Sequence, residues 1–201
     1  MASVYLSPSV DDQQVVITGG NEEEYMNMVA DAMIPYLKAS GISFDRNDPD
    51  MTVSQIIEQS NSKYHDLHLI LNMESGVGNL AGLMRGINVI HYTGSPGGSV
   101  AARVFYDNLK TIYPDPNLVT LSSDRLNPQL RDTDATALMV DLGYRDNYTD
   151  VNWLRNNLDT IAKTLVMSIA EYLGVPFVNV QPPNAGTQTY SYSGLKQGKS
   201  W

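Results

Sequence analysis

The chain has three histidines, twenty-two acidic residues and no cysteine. Any strong metal ligand must therefore be an imidazole or a carboxylate, and there is no thiol nucleophile or disulfide framework. His65, His68 and His91 form no His-rich cluster, and neither G-x-S-x-G nor a phosphate-binding P-loop occurs, so serine-hydrolase and nucleotide chemistries have no motif to stand on. Glu22, Glu23 and Glu24 run together after Asn21. At a helix N-terminus such a run is favoured by the dipole and the unpaired N–H groups, and one of its side chains could equally serve as a ligand. Asn72 and Asp141 fall at the ends of apolar runs, where open α/β sheets place ligands and where Asn and Asp also simply terminate strands. The turn from Gly94 to Ser99 precedes a helical pattern and reads as an ordinary turn or as an anion cradle of backbone N–H groups.

The elements that must position these residues follow from periodicity. Val4 to Leu6 is a short apolar segment closed by Ser7, Pro8 and Ser9, the pattern of a buried strand ending in a turn. Asn21 and Glu24 have capping-box spacing, and Tyr25, Met28, Val29, Ala32, Met33, Tyr36 and Leu37 recur at helical spacing up to Gly41. Strands are predicted at 42–45, 67–71, 87–92, 117–121 and 135–142, and helices at 53–63 and 99–112. A last long helix is predicted from an Asp150 cap to Leu173, with Leu154, Leu158, Ile161, Leu165, Ile169 and Tyr172 on one face. Strands alternating with helices predict an α/β fold of three layers, a mostly parallel twisted sheet of about six strands with helices on both faces.

Length and composition bound the rest. At 201 residues one domain with a tail is the simplest organisation. The domain is placed at 1–180, and 181–201 is a Pro-, Gly-, Ser- and Tyr-rich tail or linker. Tyr190, Tyr192 and Trp201 there could touch carbohydrate or peptide, or mark a cut boundary. A net charge of −9 with scattered Lys and Arg excludes a phosphate-backbone footprint, so no nucleic-acid partner is expected. No apolar run approaches the ~18 to 20 residues of a membrane helix. The N-terminus MASVYLSP has no basic and apolar signal regions, which fits a cytoplasmic chain or an excised piece of an exported one.

Several stretches, in order, resemble the zinc-dependent N-acetylmuramoyl-L-alanine amidase (amidase-3) family. YLSPS stands where that family has a strand and a turn carrying its first zinc histidine, and GGNEEEYMN with VADAMIPYLKASGI resembles the helix carrying its zinc glutamate. DLHLILNMESG resembles the strand ending in the second zinc histidine, and GINVIHY with ARVFYDNLKTIYP the next strand and helix. TDATALMVDLGYRDNYTDVNWLRNNLDTIAKTL resembles the segment holding the acid/base glutamate, a Gly-aromatic pair and an Asn-x-x-Asp. The match spans about residues 3 to 178 and implies the phosphorylase/hydrolase-like architecture of that family.

Carried over by position, the resemblance implies a degenerate site. The first histidine falls on Val10, or on Ser9 if the turn shifts by one, and the second on Asn72. Neither Val nor Ser offers a nitrogen lone pair, and a neutral amide is a poor zinc ligand. Glu23, four residues before Asn27, is the one surviving ligand, and Asp141 stands at the acid/base glutamate with one CH₂ fewer. His68 lies ~13 Å from Asn72 along one strand and cannot replace it, whereas His91 ends the neighbouring strand and, with Glu23 and Asp11 or Asp12, could form a makeshift metal site. Two readings follow. One is a peptidoglycan- or partner-binding module in the cell wall or outside the cell, a pseudoenzyme whose groove comprises Val10, Glu23, Asn72 and Asp141 and which takes no cofactor. The other is an active amidase, cutting the bond between muramic acid and L-alanine with zinc in a rebuilt site around Glu23, His91 and Asp141.

Overall fold

The computed structural model describes residues 2–180; the predicted tail at 181–201, with Tyr190, Tyr192 and Trp201, lies outside them. Six strands form one sheet: β1 (Ser3–Pro8), β2 (Ser43–Arg46), β3 (Leu67–Glu74), β4 (Ile87–Tyr92), β5 (Val119–Asp124) and β6 (Thr136–Tyr144). Their order is β2-β1-β3-β6-β4-β5. Every neighbouring pair is parallel except β4 and β6. Helices α1 (Glu22–Ala39), α2 (Val53–Asn61), α3 (Pro96–Leu109), α4 (Pro128–Arg131), α5 (Tyr148–Asn156) and α6 (Leu158–Leu173) complete the domain. The mostly parallel, three-layer α/β fold is the one the alternating pattern predicts.

Strand residues alternate between two unlike faces. Val4, Leu6, Leu67, Leu69, Leu71, Val89, Leu138 and Val140 pack under α1, α3 and α6 in the main core, as parallel strands buried under crossover helices must. On the opposite face a small cluster of Ile70, Ile90, Ala137 and Met139 is sealed by Leu130 of α4. Beyond that cluster the same face is polar.

The predicted long helix from Asp150 to Leu173 is two helices, broken at Asn157, whose backbone leaves helical geometry and whose side chain bonds the Trp153 carbonyl at 2.8 Å. The cap is Asn147, not Asp150. Asp150 is buried in the first turn, where Oδ2 accepts the N–H groups of Gly86 and Tyr144, each at 2.9 Å, and Oδ1 the Tyr113 hydroxyl at 2.6 Å. It thereby ties the approach to β4 to the end of β6. The turn at Gly94 is likewise occupied locally: α3 starts at Pro96, and the Ser95 hydroxyl accepts the Gly98 N–H at 3.0 Å.

Beneath α2 and α4 the polar face holds a closed network. His68 is fully buried, its Nδ1 paired with the Ser60 hydroxyl at 2.9 Å and its Nε2 with Gln129 Oε1 at 3.0 Å, while the Tyr5 ring stacks on it at 5.0 Å. Gln129 Oε1 also accepts the Ser7 hydroxyl at 2.7 Å. With no carboxylate on the ring, burial pushes the imidazole down from 6.5 to about 4. The unfolded chain then binds the extra proton between pH 6.5 and about 4, so stability is complete above that window and falls as pH drops through it. The full loss is about 3 kcal/mol. Denaturant unfolding across this range is expected to show that decline in the wild type and a flatter profile in His68→Gln; equal profiles would show that His68 is not held neutral.

Candidate functional site

The site lies at the carboxyl ends of β1, β3 and β6, where α/β sheets leave a crevice between strand ends and loops. Three segments meet there. The turn after β1 is fixed to β3 by the Ser9 N–H on the Leu71 carbonyl at 2.9 Å. The N-terminus of α1, held by a capping box between Asn21 and Glu24, brings its acidic first turn over the end of β3. β6 lies beside β3 with Asn72 directly paired to Asp141, and after a register shift Glu74 pairs with Tyr144.

Glu22, not Glu23, is the α1 carboxylate turned inward. It is 3 % exposed, and its Oε1 accepts the Met73 N–H at 3.2 Å. Burial raises its pKa, opposed by that N–H, by the Ser9 hydroxyl and by the guanidinium of Arg145. Arg145 Nη1 stands 3.6 Å from Glu22 Oε2 and 3.4 Å from the Met73 carbonyl, and Nη2 donates to Gln14 Oε1 at 2.5 Å. The Arg145 backbone also pairs with Glu74 and Ile17, its N–H on the Glu74 carbonyl at 2.8 Å and its carbonyl accepting the Ile17 N–H at 2.9 Å. One residue thus joins the loop before α1, the end of β3 and the end of β6. Glu23 is half-buried one position on, about 100° around the helix from Glu22.

Asp141 is the other buried carboxyl, 1 % exposed, and no donor among the described residues reaches either oxygen. Its pKa is raised well above the ordinary carboxylate value, first by burial, then by the charges of Glu74 and Glu22, with Glu74 also able to accept a proton shared between the two. Asn72 is half-buried beside it, its amide 3.9 Å from the Met139 sulfur.

Of the predicted residues, Asn72 and Asp141 are lateral neighbours, and Val10 follows the Ser9 that bonds Glu22. His91 does not join them. β4 runs antiparallel to β6, and His91 pairs with Leu138, three residues before Asp141. It also alternates onto the α3 side of the sheet, its Cβ beside Gly98, with Nδ1 on the Tyr92 carbonyl at 2.9 Å. A makeshift set of Glu23, His91 and Asp141 is therefore not assembled. His65 is committed elsewhere, to Asp45 at 2.8 Å and the Ser60 carbonyl at 3.0 Å. A catalytic zinc needs three protein donors and an open position. Among the described residues no three His, Asp or Glu side chains are grouped so that they could hold a metal ion.

Arg145 and Glu22 are the residues that the sequence reading missed. A signal for Glu22 existed: Met26, Val29, Ala30, Met33 and Leu37 follow it at +4, +7, +8, +11 and +15, so it heads the buried stripe of α1.

Burying Asp141 without a donor costs stability, and neutralising it is expected to return some. Asp141→Asn should unfold at a higher temperature, by about 1–2 kcal/mol of added stability near neutral pH. Because a raised carboxyl pKa makes the folded state the better proton binder, this advantage should shrink as pH falls through the Asp141 titration. A melting temperature lowered in the variant would mean that the carboxylate has a compensating partner.

No protein-family model matches the sequence, and no curated protein matches it. Solved structures do. N-acetylmuramoyl-L-alanine amidase AmiC2 of Nostoc punctiforme is 16% identical with a TM-score of 0.74, over 86% of this chain and 97% of that one. The catalytic domain of the amidase CwlV from Bacillus (Paenibacillus) polymyxa var. colistinus is 14% identical with a TM-score of 0.73, over 88% and 100%. The CwlD amidase from Clostridioides difficile, solved in complex with the GerS lipoprotein, is 11% identical with a TM-score of 0.75, over 87% and 99%. At these identities the likeness establishes the fold, matched over nearly the whole length of each neighbour.

Proposed function

We propose that this chain is an amidase-like cell-wall protein that binds peptidoglycan fragments, or a protein partner, without zinc-dependent hydrolysis. The reading rests on one observation above others: the buried glutamate at the strand ends is partnered by Arg145. A guanidinium is a fixed cation with five N–H donors and no Lewis acidity. It neutralises a carboxylate, yet it cannot lower the pKa of a bound water or polarise a scissile carbonyl as a metal does.

The remaining groups support binding rather than turnover. Burial and the charges of Glu74 and Glu22 raise the Asp141 pKa, which favours the protonated acid at the expense of the ionised base that would activate water. Amides, hydroxyls and carboxyls around it suit a ligand rich in amide groups. Peptidoglycan is the ligand class suggested by the amidases of the same fold, and the complex of CwlD with GerS shows that one neighbour takes a protein partner. A place in the cell wall or outside the cell belongs to the same proposal. No described helix is long and apolar enough to cross a membrane.

The test is to titrate the protein with soluble muropeptides by calorimetry and follow the free stem peptide by mass spectrometry, with and without added zinc. Saturable binding and no peptide release under either condition are expected. Zinc-dependent release of peptide would establish the active-amidase reading instead, and the absence of any binding would remove the peptidoglycan ligand.

A further inference from the structure

The loop 75–86 runs from the end of β3 to the start of β4, which the antiparallel course of β4 places at the same end of the sheet. Its backbone is tied inward. Asp146 Oδ2 accepts the N–H groups of Gly76 at 3.0 Å and Gly82 at 2.8 Å, and Asn147 Nδ2 donates to the Gly82 carbonyl at 2.8 Å. The Gly86 N–H closes the loop on Asp150. The path depends on glycine, since a Cβ at position 76 would stand 2.4 Å from the Leu80 carbonyl oxygen. The apolar side chains point outward instead: Val77 is 78 % and Leu83 71 % exposed, with Leu80 and Met84 also in solvent. An ordinary surface loop shows polar side chains to water. This one hydrogen-bonds its backbone to the protein and presents aliphatic groups.

Two neighbouring segments extend that surface. Exposed Tyr148 directly follows the Asn147 that holds Gly82. On the loop before α1, Val15 and Ile17 are exposed, and the Ile17 N–H meets the Arg145 carbonyl at 2.9 Å. All three segments thus gather on the turn between β6 and α5, and together they hold more than half of the large apolar side chains exposed among the described residues. Single exposed aliphatic residues need no explanation, whereas a concentration of them on tied-down loops marks an interaction surface.

The charge around these loops selects what covers them. Asp11 and Asp12 are exposed beside Val15, and Glu74 is exposed at the root of the loop 75–86. On these segments Arg85 is the one exposed cation, because Arg145 is half-buried against Glu22. An acidic rim repels a bilayer rich in anionic lipid. A second copy of the chain would set the same carboxylates against one another across a two-fold axis. A basic protein face would be attracted. We infer that these loops form a docking surface for a different protein, one whose contact face carries apolar side chains among lysines or arginines. The inference rests on the protein-partner part of the proposed function and gives it a place outside the crevice.

The experiment uses a labelled amphipathic peptide of leucine and lysine as the probe, with a leucine–glutamate analogue as its control, and follows binding by fluorescence anisotropy at low and high salt. The wild type is expected to bind the basic peptide saturably, more weakly at high salt, and not to bind the acidic one. Val77→Ser with Leu83→Ser should weaken binding by about tenfold through lost apolar burial. Asp11→Asn with Asp12→Asn should weaken it severalfold and flatten the salt dependence. Both pairs are exposed, so thermal unfolding is expected at the wild-type temperature. Leu126→Ser, 77 % exposed at the opposite end of the sheet, should leave binding unchanged. Equal affinity in all folded variants, or an equal loss in Leu126→Ser, would overturn the docking surface. So would self-association in sedimentation, or flotation with phosphatidylcholine–phosphatidylglycerol vesicles, if the Val77/Leu83 pair abolished it, since a second copy or a bilayer would then be the occupant. Muropeptide titration of the same pair is expected to match the wild type. Muropeptide binding without basic-peptide binding would overturn the docking surface alone, while the reverse would uphold it and remove the peptidoglycan ligand.

Discussion

A carboxylate placed on the apolar stripe of a helix has to be compensated where it is buried, and much of this end of the molecule is arranged around that requirement. Glu22 cannot turn to solvent, because the stripe it heads is what anchors α1 to the sheet. An isolated buried charge costs several kcal/mol and is tolerated only when hydrogen-bonded and paired. Here the Met73 N–H, the Ser9 hydroxyl and Arg145 share the task. Arg145 meets the cost with a side chain that also holds Gln14 and the Met73 carbonyl, and with a backbone that pairs to Glu74 and Ile17. Compensating one charge therefore also fixes the loop before α1 against the ends of β3 and β6.

Asp141 shows what the same crevice does to a carboxyl that is not compensated. It lies within range of Glu74 and Glu22 and beyond the reach of any described donor, so the protein holds it toward its neutral form. A sequence under selection for stability alone would not keep such a group. Buried polar groups that break the packing rules concentrate where a site has work to perform. The neighbouring row of apolar residues, closed by Leu130, shows that this face could be packed conventionally and is so packed up to the edge of the site.

The sheet and its helices were legible in the sequence, because β3 and β6 are continuous apolar runs, as buried parallel strands must be, and α1 carries both its capping box and its period. The site was legible only in part. Asn72 and Asp141 become neighbours once their strands are placed side by side. Choosing Glu22 over Glu23 depended on the +4, +7 and +11 spacing of the core stripe, which outweighs the match to Asn27: the Asn27 side chain bonds the Glu23 carbonyl and so does not report on its carboxylate. His91 was misplaced because an apolar run has no sign of its direction. β4, together with its parallel neighbour β5, runs the other way from the remaining four strands, which carries the last residues of β4 away from the site. Asp150 was read as a cap because its exchange of local N–H groups for those of Gly86 and Tyr144 is a long-range contact that spacing does not encode.

The claim on which this account turns is that Glu22 is neutralised by an arginine of the same chain. A double-mutant cycle with Arg145→Met, Glu22→Gln and the two together, read as unfolding free energy in metal-free buffer, measures that pairing directly. The account predicts that Arg145→Met alone is strongly destabilising, by about 3 kcal/mol, because it strands a buried carboxylate. Glu22→Gln in the same chain should recover a large part of that loss, giving a coupling of about 1–3 kcal/mol. Additive effects of the two substitutions would contradict it.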